Sequence, residues 1–174
     1  MKMKSILLYA FSLVSMNIMA QPDIEDIVIR NAEDAHDELE TVEECADWIL
    51  TSSYNPNDPT WDQMSGFILN WARHTNEFPI RMRTELTGFM KKNPVLMSVY
   101  LAGWIRFAIH HPEARGNELN CTDAALTSCV QFYSTHKEQL KTDPTLDQLV
   151  DVSDQGELIL WISKELRELD SRSR

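Results

Sequence analysis

Beyond residue 40, apolar side chains return every three or four positions, the spacing of helices that bury one face. Val42, Cys45, Ala46, Ile49 and Leu50 share one such stripe, and Trp61, Met64, Phe67, Ile68, Trp71 and Ala72 form the next. A shorter periodic segment opens at Pro79 and runs through Ile80, Met82, Leu86, Phe89 and Met90. Leu126, Cys129, Val130, Tyr133 and Leu140 mark a later helix, Leu146, Leu149 and Val150 a short one, and Leu158, Trp161, Ile162, Leu166 and Leu169 the last. Upstream, Ile24, Ile27, Val28, Ala32, Ala35 and Leu39 keep the same rhythm among ten carboxylates between Asp23 and Glu44, which predicts an acidic amphipathic first helix.

One stretch departs from this one-sided pattern. From Pro94 to His110, the residues Val95, Met97, Val99, Leu101, Trp104, Phe107 and Ala108 point to nearly all sides of a helix. A bilayer span needs about 20 apolar residues. The uncharged part here stops at Ile105, includes Ser98 and Gly103, and runs into Arg106. The pattern therefore predicts a central helix surrounded by the amphipathic ones.

Polar punctuation sets the expected boundaries. Thr41 stands three residues before Glu44, a capping-box spacing that starts a helix at Val42 or shortly before. The SSYNPNDPT run from Ser52 to Thr60 reads as a loop, Asn93 and Pro94 close the segment after Pro79, and RGNELN is a second loop. Thr122 or Asn120 is the expected cap of the following helix, Pro144 takes a first helical position, and Asp154 with Glu157 caps the last helix. Alternating strand patterns and Asn-Gly or Asp-Gly hairpin turns are absent, and no block repeats at a fixed period. The expected fold is all-α: a single irregular bundle of about seven helices around the helix from Pro94 to His110.

The first twenty residues change the compartment. Lys2 and Lys4 precede an apolar run from Ile6 to about Val14, and Ala20 ends the segment, in the order of a secretory signal peptide. Gln21 follows, so no thiol is there for lipid attachment. The expectation is an exported, periplasmic or extracellular protein with one domain over residues 21–174 and no membrane span in the mature chain. Losing two lysines takes the formal charge from -11 to -13. Such a surface repels nucleic-acid phosphates and anionic lipid and favours a basic partner.

Export also bears on Cys45, Cys121 and Cys129, an odd set for an oxidising compartment. Cys121 and Cys129 stand eight residues apart, about 12 Å along one helix, too far for a disulfide. Cys45 and Cys129 both fall on apolar stripes, which fits either a bridge between two helices or two buried thiols.

Several groups are candidates for chemistry. HHPE, with His110, His111 and Glu113, contains metal-ligand residue types, but adjacent histidines diverge by about 100° on a helix, and Pro112 marks a helix end. Histidines at a helix C-terminus also complement its dipole. Asp151, Ser153, Gln155 and Gly156 resemble part of a calcium loop whose twelfth position should be Glu and is Ile162. The acids of the first helix read as a solvated face. Trp61, directly after the NPNDP loop, is the tryptophan best placed to anchor a ligand or partner. No nucleophile elbow, Walker loop or dinucleotide fingerprint occurs, so no catalytic residue, metal or cofactor is assigned.

These readings converge on a helical interaction protein without catalytic activity that binds a protein or small ligand, a basic partner being favoured. The competing reading is a small extracytoplasmic hydrolase or metal-dependent enzyme using His110, His111 and Glu113 or the first-helix acids.

Overall fold

Helix caps divide the chain. The structure, a computed structural model, describes residues 21–172; the expected signal peptide lies outside them. Seven α-helices occur among the described residues: α1 (Ala32–Asp37), α2 (Leu39–Thr51), α3 (Pro59–His74), α4 (Val95–His110), α5 (Glu118–Thr135), α6 (Pro144–Asp154) and α7 (Leu158–Arg172). A 3-10 turn at Gly88–Lys91 precedes α4. Asn31, Asp58, Asn117 and Asp143 each accept backbone N–H groups from the first turn of the helix they precede, satisfying donors that would otherwise have no partner. Pro59 and Pro144 occupy first helical positions, where a missing N–H costs nothing.

The bundle is all-α and is organised around α4, as the all-round hydrophobicity of that segment predicts. Leu96, Val99, Tyr100, Leu101, Trp104, Ile105 and Ala108 are all buried. Helices α2, α3 and α5 pack on α4, while α6 and α7 pack on α5 and on each other. No helix among the described residues is long and apolar enough to cross a membrane.

Four boundaries differ from the expected ones, each for a local reason. Residues 21–30 are not helical but contain a turn in which Ile27 N donates to Ile24 O at 3.3 Å; Asn70 donates to the Ile29 carbonyl at 3.2 Å and Ile29 is buried, so this segment lies against α3. The expected capping box does not open α2, which begins earlier at Leu39, and the Thr41 hydroxyl donates within the first turn to Glu38 Oε2 at 2.8 Å. The segment after Pro79 forms no α-helix because α4 takes its carbonyls: Trp104 Nε1 donates to Pro79 O at 3.1 Å and Tyr100 Oη to Arg81 O at 2.9 Å. Asn117, not Asn120 or Thr122, caps α5, which stops at Thr135 and leaves Leu140 in the following loop.

Asp154 likewise does not cap the last helix; it is the final residue of α6. Gly156, at φ 72°, follows it in the left-handed region. Gly156 N donates to Ser153 O and Glu157 N to Val152 O, the paired bonds of a Schellman helix end. The residues that resemble a calcium loop are thus a helix terminus.

Candidate functional site

Helices α2 and α4 run antiparallel, joined by two polar rungs. Glu43 and Asp47, one turn apart on α2, face His110 and Arg106, one turn apart on α4: His110 Nε2 lies 2.9 Å from Glu43 Oε1 and Arg106 Nε 3.0 Å from Asp47 Oδ1. The Asp47 oxygen is buried, and its contact with Arg106 is an ion pair without hydrogen-bond alignment.

This geometry separates the HHPE residues. His110 belongs to the α2 rung, whereas His111 caps α4, with Nδ1 3.1 Å from Phe107 O and its ring stacked on that of Phe107 at 4.3 Å. Glu113 is exposed in the turn that follows. Among the described residues, no three His, Cys, Asp or Glu side chains are grouped so that they could hold a metal ion.

Trp61 is buried, and its indole donates to Ser53 O at 3.2 Å. Its ring packs with Trp48, Tyr54 and Phe132 at centroid distances of 5.2, 5.0 and 5.6 Å. This cluster ties α2, α3 and α5 together through the loop carrying Tyr54. One side of it borders a pocket of about 350 Å³ that Tyr54, Asp62, Ser65 and Val95 also line.

Cys45, Cys121 and Cys129 are free, buried thiols. Of the two arrangements open to Cys45 and Cys129, a bridge or two buried thiols, the structure has the buried thiols. Helices α2 and α5 each pack on α4, and the Cys129 thiol faces the Leu96 carbonyl of that helix at 3.5 Å. Burial pushes the Cys45 thiol up to about 12 and the Cys121 thiol up to about 11.

A second pocket, about 450 Å³, opens where α2 ends beside α4 and α5. Leu50 to Ser53 form one wall, Arg106 another, and Ser128, Gln131, Phe132, Thr135 and His136 the third. Three of its hydroxyls are already committed as donors: Thr51 to Asp47 O at 2.7 Å, Ser128 to Ala124 O at 2.9 Å and Thr135 to Gln131 O at 2.8 Å. They offer the pocket lone pairs. His136 packs against the rings of Phe132 and Tyr54 at 4.6 and 6.0 Å, and burial lowers its pKa.

None of these pocket residues stands out by sequence motif. The available signal was the matched four-residue spacing of Glu43/Asp47 and Arg106/His110, which aligns two helices but does not reveal a pocket.

Charge is distributed unevenly around this frame. Eleven carboxylates lie between Asp23 and Asp47 against a single arginine, Arg30. Glu25, Asp26, Glu33, Asp37, Glu40 and Glu44 are exposed. No protein-family model, curated protein or solved structure matches this chain.

Proposed function

We propose that this is an exported, non-catalytic binding protein whose partner is a basic protein. The observation that carries the reading is the charge imbalance: eleven carboxylates against one arginine between Asp23 and Asp47, of which Asp23, Glu25, Asp26, Glu33, Asp37, Glu40 and Glu44 are exposed along the segment before α1 and along α1 and α2. A field of that sign raises the encounter rate with cationic surfaces and disfavours anionic ones. The titratable groups that would serve an enzyme support the same reading by what they do instead. His110 holds Glu43, His111 closes α4, and the acids of α1 and α2 face outward or pair with α4.

The test is binding of the mature protein to a panel of basic and acidic proteins of similar size at low and high salt. Basic members should be retained at low salt and released as salt rises, because exposed charges more than a Debye length apart are screened. Glu33→Gln, Asp37→Gln, Glu40→Gln and Glu44→Gln combined should weaken retention without changing the fold. Equal retention of acidic and basic members, or retention indifferent to salt and to those substitutions, would contradict the reading.

A further inference from the structure

The pocket of about 350 Å³ beside the Trp61 cluster is lined by polar groups that the protein leaves uncommitted. Tyr54, Trp61, Leu69 and Val95 give it apolar walls, and the hydroxyls of Tyr54, Ser65 and Ser98 and the carboxylate of Asp62 face the same space. None of those hydroxyls, nor the carboxylate, makes a hydrogen bond or ion pair among the described residues. The contrast with other helical hydroxyls is sharp, since Thr51, Ser128 and Thr135 each donate to the carbonyl one turn back. Ser98, in the first turn of α4, does not, although it is only 2% exposed. A hydroxyl that deep is costly to leave unpaired, so it favours whatever enters the pocket with a partner for it.

Two helices set the geometry. Asp62, Ser65 and Leu69 recur at spacings of three and four on one face of α3, and the start of α4, at Val95 and Ser98, supplies another side. Ser98 lies at depth, whereas Asp62 is exposed at the mouth. Asp62 is the only formally charged side chain lining the pocket. The helix starts that border it have partners of their own: Asp58 accepts the Thr60 and Trp61 N–H groups of α3, and Asn93 O and Pro94 O accept those of Leu96 and Met97 in α4. Burial, and after it the charge of Asp62, pushes the Tyr54 phenol up, so the carboxylate is felt across the pocket.

We propose that this pocket binds a small organic amine on a compact apolar body, of the arylalkylamine class. The ammonium pairs with Asp62, the ring lies against Tyr54, Trp61 and Leu69, and a polar atom at the far end meets the Ser98 hydroxyl. The Trp61 indole N–H is already committed to Ser53 O, so that residue offers its ring alone. A ring is favoured over the stem of a lysine side chain because a single-file chain leaves the aromatic walls uncovered, and the apolar gain follows the area covered. The inference goes beyond the binding reading above and needs no protein partner.

Calorimetric titration of the mature protein with phenethylamine, tyramine, hydrocinnamate and α-acetylated lysine amide tests it, with backbone amide shifts at Tyr54, Asp62, Val95 and Ser98 to locate the binding. Both aryl amines should bind, and hydrocinnamate, similar in shape but opposite in charge, should bind at least about tenfold more weakly. Asp62 is exposed, so Asp62→Asn leaves the core intact. That substitution should weaken the amines about tenfold and leave the acid no weaker. Tyramine carries a hydroxyl that phenethylamine lacks and should bind several-fold more tightly, an advantage that Ser98→Ala should remove.

Hydrocinnamate binding as tightly as phenethylamine, or amine binding indifferent to Asp62→Asn, would overturn the charge pairing that defines the site. Equal affinity of tyramine and phenethylamine in the parent would overturn the contact with Ser98. Tighter binding of the lysine amide than of either aryl amine would overturn the compact body. If neither aryl amine binds, the pocket assignment falls while the acidic-face reading, tested on basic proteins, stands.

Discussion

Gly103 of α4 meets Ser128 of α5 with no room between them. A Cβ built at position 103 would stand 2.5 Å from Ser128 Oγ, 2.9 Å from Ser128 Cβ and 3.0 Å from the Ala124 carbonyl oxygen. Glycine in mid-helix ordinarily costs about 1 kcal/mol relative to alanine. Here that cost accompanies the close crossing of the two helices. The same approach places Ser128 on the wall of the pocket between α2, α4 and α5, so packing at the centre of the bundle also shapes that pocket.

Gly103→Ala should therefore destabilise despite its better helix propensity. Overpacking of this kind costs about 1–3 kcal/mol. The propensity gain returns only about 1 kcal/mol. The Ala124 oxygen is main chain and cannot swing aside. Urea titration should give a lower midpoint with an unchanged slope. Adding Ser128→Ala removes the nearest atom and should recover part of the loss, whereas full additivity of the two changes would mean the residues are not coupled.

The bundle was legible in the sequence where burial is one-sided or complete, and obscure where tertiary contacts replace helical ones. Periodicity located α2, α3, α5, α6 and α7, and the absence of a polar face on 94–110 identified the central helix. The segment after Pro79 has the same apolar spacing, but Trp104 and Tyr100 capture its carbonyls, a competition between distant residues that no local pattern records. At the first segment the cause is local instead: Asn31 caps α1 in the middle of an unbroken apolar rhythm, so helix begins only after it. The pocket between α2, α4 and α5 was harder still. Thr51, Arg106, Gln131 and His136 come from three helix segments whose meeting depends on the approach of Gly103 to Ser128.

A second prediction concerns Asp143, which holds the start of α6 from a buried position. It accepts the Thr145 N–H at 2.9 Å and pairs with Lys92 Nζ at 3.2 Å. Burial pushes its carboxyl up, but Lys92 and the N–H groups of Thr145 and Leu146 outweigh it, and the net value lies below the ordinary one. Its contribution is accordingly present above the ordinary carboxylate value and is lost as pH falls through the lowered folded value. Asp143→Ala should cost about 1–2 kcal/mol in chemical unfolding. Asp143→Asn keeps the cap and should cost less.

The thiols give a third. Cys45, Cys121 and Cys129 are fully buried, and burial pushes each upward, Cys45 to about 12 and Cys121 to about 11. Only the thiolate reacts, so a thiol reagent at neutral pH should label the native protein slowly. In denaturant without reductant it should modify all three sites, as read by intact mass. Modification of a single site there, at Cys121, would reveal a Cys45–Cys129 bridge and require a rearranged packing around α4.

His36 and Glu77 provide the fourth, a pH dependence with a definite sign. His36 Nδ1 lies 2.6 Å from Glu77 Oε1, joining α1 to the loop after α3. The hydrogen bond and the charge of Glu77 raise the imidazole above its ordinary 6.5, although the ring is 65% exposed. A group whose folded pKa is raised stabilises the fold fully below its ordinary value, and that contribution disappears as pH rises through the raised one. Glu77→Gln should bring the His36 titration midpoint, followed by proton resonances of the ring, down toward its ordinary value. The stability difference between parent and variant should be largest in mild acid, provided Glu77 stays ionised, and should vanish in mild base. Salt should reduce it, since the imidazole side of the pair stands in solvent and is screened there. An unchanged His36 midpoint in the variant would show that Glu77 does not hold the imidazolium, and α1 would then be held instead through α3, whose Trp71 indole donates to Ala35 O at 2.7 Å.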